Sequence, residues 1–159
     1  MSDDEPRGYD EAHYSQEKTG LSGWVEPYFF AGIEITVLST PAFVPVVFLQ
    51  FHYPDAVPLA GLAALAAGSF SLMLFRARAI DLGAWPRLGE LSSVPLRVVY
   101  FSAAFLAATF GVAAVATEMG SLALAFVGGA IVQTAALAGF PAVYRAIYGE
   151  PARHPSQRV

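Results

Sequence analysis

Four long apolar stretches, separated by polar breaks, dominate the chain: residues 28–51, 58–75, 96–117 and 121–144. A bilayer core of about 30 Å needs about 20 mostly apolar residues per helix, so each stretch reads as a membrane-spanning helix. The apolar character runs around each segment without alternating at period two, which excludes a porin-type barrel. Glu34 is the one acid inside the four stretches, and Arg97 stands at the start of the third. The pattern predicts an all-α integral membrane protein: a four-transmembrane-helix bundle over residues 24–148, an acidic disordered tail over 1–23 and a flexible C-terminal tail over 149–159.

Composition agrees, since 55% hydrophobic against 14% charged residues is too apolar for a water-soluble core. The absence of cysteine removes disulfides, thiolate metal ligands and a cysteine nucleophile. Charge then orients the bundle. Arg7 and Lys18 precede the first stretch, Arg76, Arg78, Arg87 and Arg97 lie between the second and third, and Arg145, Arg153 and Arg158 follow the fourth. The two short connections carry only Asp55 and Glu118 as full charges. Cytoplasmic loops retain Lys and Arg, so both termini and the middle loop are expected in the cytoplasm, with the protein in the cell membrane. Asp3, Asp4 and Glu5 replace the basic start of a cleavable signal. Eight arginines to one lysine, with 7 of the 13 acids in the first 26 residues, is a composition that suits a salt-adapted archaeon or bacterium.

Lipid gives helices no hydrophobic reason to associate, so small residues at four-residue spacing mark expected contacts. They are Ala60, Ala64 and Gly68, with Ala63, Ala67 and Ser71 beside them; Ala103, Ala107 and Gly111; and Ala125, Gly129 and Gln133. The middle loop mixes Ile80, Leu82, Trp85 and Leu88 with arginines, which suits either a short interfacial helix with Trp85 at headgroup depth or a polar linker.

Glu34 is the leading candidate for chemistry, because an acid in hydrocarbon costs at least ~2.5 kcal/mol and is retained where it faces protein or water. Six residues past Tyr28 it should lie about 9 Å inside the boundary. The same count places Ser69 and Ser102 in its layer, and Thr40, Thr109, Gln133 and Thr134 near mid-membrane. This is a possible proton or ion track, or hydrogen-bonding glue. With no base expected at its depth, Glu34 is expected neutral. Pro41 and Pro45 free the carbonyls of Val37 and Pro41, which in broken transporter helices coordinate cations and elsewhere only mark a kink. The spans offer no lysine, no paired histidines and no hydrolase, metalloprotease or P-loop pattern. No catalytic residue, metal site or cofactor is therefore expected, and the net charge of −4 argues against nucleic acid. The expected partners are the lipid bilayer and a homo-oligomer or larger membrane complex. Two functions compete: a non-catalytic membrane subunit or organising protein, and a proton- or cation-coupled small transporter centred on Glu34.

The segment Ala31–Thr40, AGIEITVLST, resembles the region around the single span-one glutamate of small multidrug resistance transporters. The likeness covers ten residues. The acidic tail, the span-one prolines, the missing Tyr/Trp cluster in span three and the fixed orientation depart from that pattern, so the activity is not carried over.

Overall fold

The computed structural model describes residues 21–83, 85–86 and 90–149. The tails expected to be disordered fall, apart from residues 21–23 and 149, outside this range. Among the described residues the protein is all-helical, with six α-helices: α1 (Leu21–Leu38), α2 (Thr40–Leu49), α3 (Ala56–Arg76), α4 (Val94–Leu106), α5 (Val112–Glu118) and α6 (Leu122–Tyr148). Three helical units are long and apolar enough to cross a membrane: Ala56–Arg76, Leu91–Glu118 and Leu122–Tyr148. The bent pair Gly23–Leu38 and Thr40–His52 makes a fourth when counted as one span.

That bend of 68° is the main departure from four straight rods. It falls at Ser39, two residues before Pro41, whose missing N–H removes one rung of the helical ladder. Ala42 N–H tightens onto the Ser39 carbonyl instead. The Leu38 carbonyl then accepts the Ser102 hydroxyl of α4 at 3.3 Å, and the Ser39 hydroxyl donates to the Phe101 carbonyl at 3.3 Å. Two reciprocal bonds thus tie the break to α4, so the corner is a pinned joint.

The unit Leu91–Glu118 is irregular at one place, where Ala107–Gly111 form a π-helical turn between α4 and α5. The buried Thr109 hydroxyl bonds the Phe105 carbonyl at 2.7 Å within this turn. α5 ends in a Schellman motif: Ser121 N–H bonds the Ala116 carbonyl and Gly120 N–H that of Thr117, with Gly120 at φ 61°. The Ser121 side chain then caps α6 through Leu124 N–H, so one residue closes the reversal and opens the next helix.

The core has three layers. At the Asp55 and Glu118 end, Ala56, Val57, Ala60, Ala113, Ala116 and Ala125 bring backbones close together. The middle is Ala42, Ala64, Phe105 and Ala108. At the arginine-rich end the residues are larger, among them Leu72, Phe75, Phe101, Phe140 and Tyr144, and α1 joins through Ala31, Ile35 and Leu38. Small residues at one end and aromatics at the other give α1 a place to pack across α3 and α4.

Two packing expectations separate here. Ala64, Gly68 and Gly129 sit in the α3–α6 contact: a Cβ on Gly129 would collide with the Ala60 carbonyl, and one on Gly68 would meet Gln133 Cγ at 2.9 Å. Ala107 and Gly111, in contrast, face outward with Ala103, contrary to the expected contact stripe. The reason is that α4 buries Phe101 and Phe105, whose larger apolar area outweighs the close approach that small residues would allow. The middle loop also differs from an interfacial helix, since Leu82 and Trp85 fold back onto the aromatic layer. Trp85 lies 6.2 Å from Phe75 and 5.3 Å from Phe140, ring centre to ring centre.

A charged corner where three helices meet

Glu34 shares the inner face of α1 with Ala31, Ile35 and Leu38, the i, i+3, i+4, i+7 stripe of a helix packed on one side. Its carboxylate does not stand among hydroxyls. Arg76, the last residue of α3, places Nη2 2.5 Å from Glu34 Oε1, and Arg97, in the first turn of α4, pairs with the same oxygen. The side chains of Glu34 and Arg97 are 10% and 6% exposed, and Arg76 keeps 19%. One carboxylate therefore ties together the ends of three helices.

This corrects the premise that no base reaches Glu34, and with it the argument for a neutral carboxyl. The depth count assumed a straight helix along the membrane normal. α1 and α2 meet at an angle of 68°, so residues of the first stretch cannot be counted along one straight axis. Glu34 is thus brought to the level where Arg76 and Arg97 already stand, and neither side chain needs to reach deep into the bundle.

The corner is rich in donors. Two guanidiniums face one carboxylate, leaving a surplus of one positive charge. Arg76 Nε, Arg97 Nε and the Trp85 indole Nε1 are buried without a hydrogen-bond partner. The Arg76 guanidinium carbon lies 5.8 Å from the centre of the Trp85 ring, within cation–π range. The acids nearby in sequence have other engagements: Glu90 accepts from the Tyr144 hydroxyl at 2.7 Å, and Asp81 accepts from Gly83 N–H at 3.0 Å.

The remaining candidates for a polar track are dispersed. Ser69 is buried and donates to the Leu65 carbonyl at 2.7 Å, and Ser102 belongs to the pinned joint. Thr40 is exposed and bonds back to the Thr36 carbonyl at 3.1 Å, so it faces away from the bundle interior. Ser71 and Thr134 join α3 to α6 by a 3.0 Å hydroxyl pair. Gln133 is fully buried beside Gly68 with both amide atoms unpartnered. No cluster of three potential metal ligands occurs among the described residues. Two open hollows occur elsewhere. One of about 240 Å³ lies between His52, Asp55, Thr117 and Ser121, and one of about 350 Å³ lies outside Ala107, Gly111, Leu124 and Gly128.

Sequence reasoning named Glu34, with Arg76 and Arg97 as the nearest bases at the membrane boundary and Trp85 at headgroup depth, and did not bring the four together. The signal was present: Arg76 and Arg97 are the basic residues closest to the hydrocarbon boundary, and a proline pair in the first stretch announces that its depth cannot be counted residue by residue.

Fold and site together define an all-helical protein with three or four helices of membrane-spanning length and composition, closed at one end by an arginine–glutamate triad. The chain belongs to a family described as a domain of unknown function, DUF8215, whose model matches residues 18–147, a stretch holding all four residues of the corner. No curated protein and no solved structure matches it.

Proposed function

We propose that this protein is a non-catalytic membrane subunit or organising protein, inserted in the cell membrane as a four-span bundle with both termini and the Arg76–Arg97 end in the cytoplasm. The observation that carries the reading is the Glu34 triad. Glu34, the one acid within the four apolar stretches, binds α1 to α3 and α4 and is enclosed by two guanidiniums. A coupling acid in a transporter must exchange its proton or ion with water, and here that carboxylate serves as a fastening. The serines of its expected layer likewise bond backbone carbonyls. The outward Ala103, Ala107 and Gly111 stripe supports assembly with a second copy or a larger complex, because small residues let another membrane helix approach closely.

The test is purification of the full chain from its native membrane in mild detergent, followed by size analysis and identification of what accompanies it. A defined companion protein, or a homo-oligomer with a single subunit number, is the expected result. A monomer that, in sealed vesicles, moves protons or cations in a manner abolished by Glu34→Gln would overturn the reading.

A further inference from the structure

Three buried N–H groups lack an acceptor in one corner of the molecule: Arg76 Nε, Arg97 Nε and Trp85 Nε1. Buried donors without partners are rare in folded proteins, and each costs about 1–3 kcal/mol. The same corner holds two guanidiniums against one carboxylate, so it lacks both hydrogen-bond acceptors and one negative charge. Arg97 lies in the first turn of α4, where the helix dipole adds to its positive charge instead of offsetting it. The two acids of the middle loop are engaged elsewhere: Glu90 receives Tyr144 and Ser92, and Asp81 receives Gly83 N–H.

We propose that Arg76, Arg97 and Trp85 form a binding corner for a single phosphodiester anion at the arginine-rich end of the bundle. The chemistry selects this class in two ways. A phosphodiester carries one negative charge, which equals the surplus of the triad. Its oxygens can accept from several donors, and guanidinium forks match phosphate geometry. The corner sits at the end of three helices of membrane-spanning length, the level at which lipid phosphates lie. Arg76, with 19% of its side chain exposed, is the member that can turn aside to admit the anion, while Arg97 and Trp85 stay packed beneath it. The phosphate source is either an anionic lipid headgroup or a free phosphate ester. The inference rests on the membrane placement of the bundle and is independent of the organising role, whose test is co-purification.

The test uses the full chain, purified and delipidated in detergent, in a Trp24→Phe background so that Trp85 is the only tryptophan. Phosphatidylglycerol, phosphatidylcholine and inorganic phosphate are titrated separately while Trp85 emission and melting temperature are followed. Phosphatidylglycerol is expected to shift the Trp85 emission saturably, at about one lipid per chain, and to raise the melting temperature. Phosphatidylcholine, whose phosphate is neutralised by its own choline, should do so far more weakly. Arg76→Gln should weaken the phosphatidylglycerol titration about tenfold or more, as expected for a lost charge-assisted bond. Trp85→Phe, which removes the indole N–H and part of the packed ring, should show a smaller phosphatidylglycerol-induced rise in melting temperature when compared with its own unliganded melt. If inorganic phosphate reproduces the shift, the ligand is a soluble phosphate; if only the lipid does, the headgroup is the ligand. Equal effects of phosphatidylglycerol and phosphatidylcholine, with no effect of inorganic phosphate, would overturn the proposal. So would a folded Arg76→Gln protein that binds phosphatidylglycerol like the parent.

Discussion

Taking one carboxylate away from two guanidiniums is a different perturbation from taking one guanidinium away. Glu34→Gln leaves Arg76 and Arg97 facing each other with no anion, whereas Arg97→Gln leaves a neutral Glu34–Arg76 pair. Breaking a buried pair from one side costs about 3–5 kcal/mol, and the partial exposure of Arg76 reduces that toward the lower bound. Glu34→Gln is therefore expected to lower the stability of the purified bundle by on the order of 3 kcal/mol, more than Arg97→Gln or Arg76→Gln. The triple change to Gln should recover part of the loss. Thermal melting in detergent reads this directly, and a Glu34→Gln protein that melts with the parent would show that the triad does not hold the helices. A neutral, unpaired Glu34, as the sequence suggests, would have made the same substitution nearly silent. The acid itself was legible because nothing else in the apolar stretches carries a negative charge. Arg76 and Arg97 were legible as boundary bases, but their meeting with Glu34 was not, because hydropathy does not encode how the broken first stretch packs on α3 and α4.

At the scale of single helices, glycine has two meanings here, and the structure separates them. A side chain at Gly129 would run into the Ala60 carbonyl, a backbone atom that cannot move without displacing α3. Nothing lies within 4 Å of the position a Cβ would take on Gly111. Gly129→Leu should accordingly cost at least the 1–3 kcal/mol typical of overpacking, while Gly111→Leu should leave the melt of the isolated bundle unchanged. If Gly111→Leu instead changes the size of the assembly purified from native membranes, its outward face is used between chains. Matched melts of the two variants would refute this assignment of faces. The close approach at Gly68 and Gly129 could be read from four-residue spacing, because the larger buried residues of α3 and α6, such as Leu72, Phe75, Leu137 and Phe140, lie further toward the arginine-rich end. In α4 the same spacing misled, because Phe101 and Phe105 sit on the opposite side and bury more surface. The joint at Ser39 was half legible. Pro41 forecast a break, and the return bonds from Ser102 and to Phe101 become visible only once α4 is beside it.

For the molecule as a whole, charge and layer thickness run in the same direction. The arginine-rich end is the aromatic, wider end of the core, and the end bearing Asp55 and Glu118 is the alanine layer with tight reversals. Among the described residues, Arg76, Arg78, Arg97 and Arg145 all come to the first end, with no arginine at the second. Retention of Lys and Arg in the cytoplasm is the rule on which the proposed orientation rests. The chain contains no cysteine, so single cysteines report without background. Asp55→Cys and Glu118→Cys lie at exposed positions next to α3 and at the end of α5 and should react with an impermeant thiol reagent in intact cells. Arg78→Cys, also exposed, should react only after the membrane is opened. The pinned joint adds a second requirement. If α1 and α2 form one bent span, cysteines placed before Leu21 and at Asp55 must be labelled from opposite sides. If α1 and α2 instead turn back as a re-entrant pair, both would be labelled from the same side, and the number of crossings would fall from four to three. Labelling of Arg78→Cys in intact cells would invert the orientation and move the phosphate-binding corner to the outer leaflet, where the lipid composition would decide whether it can be filled.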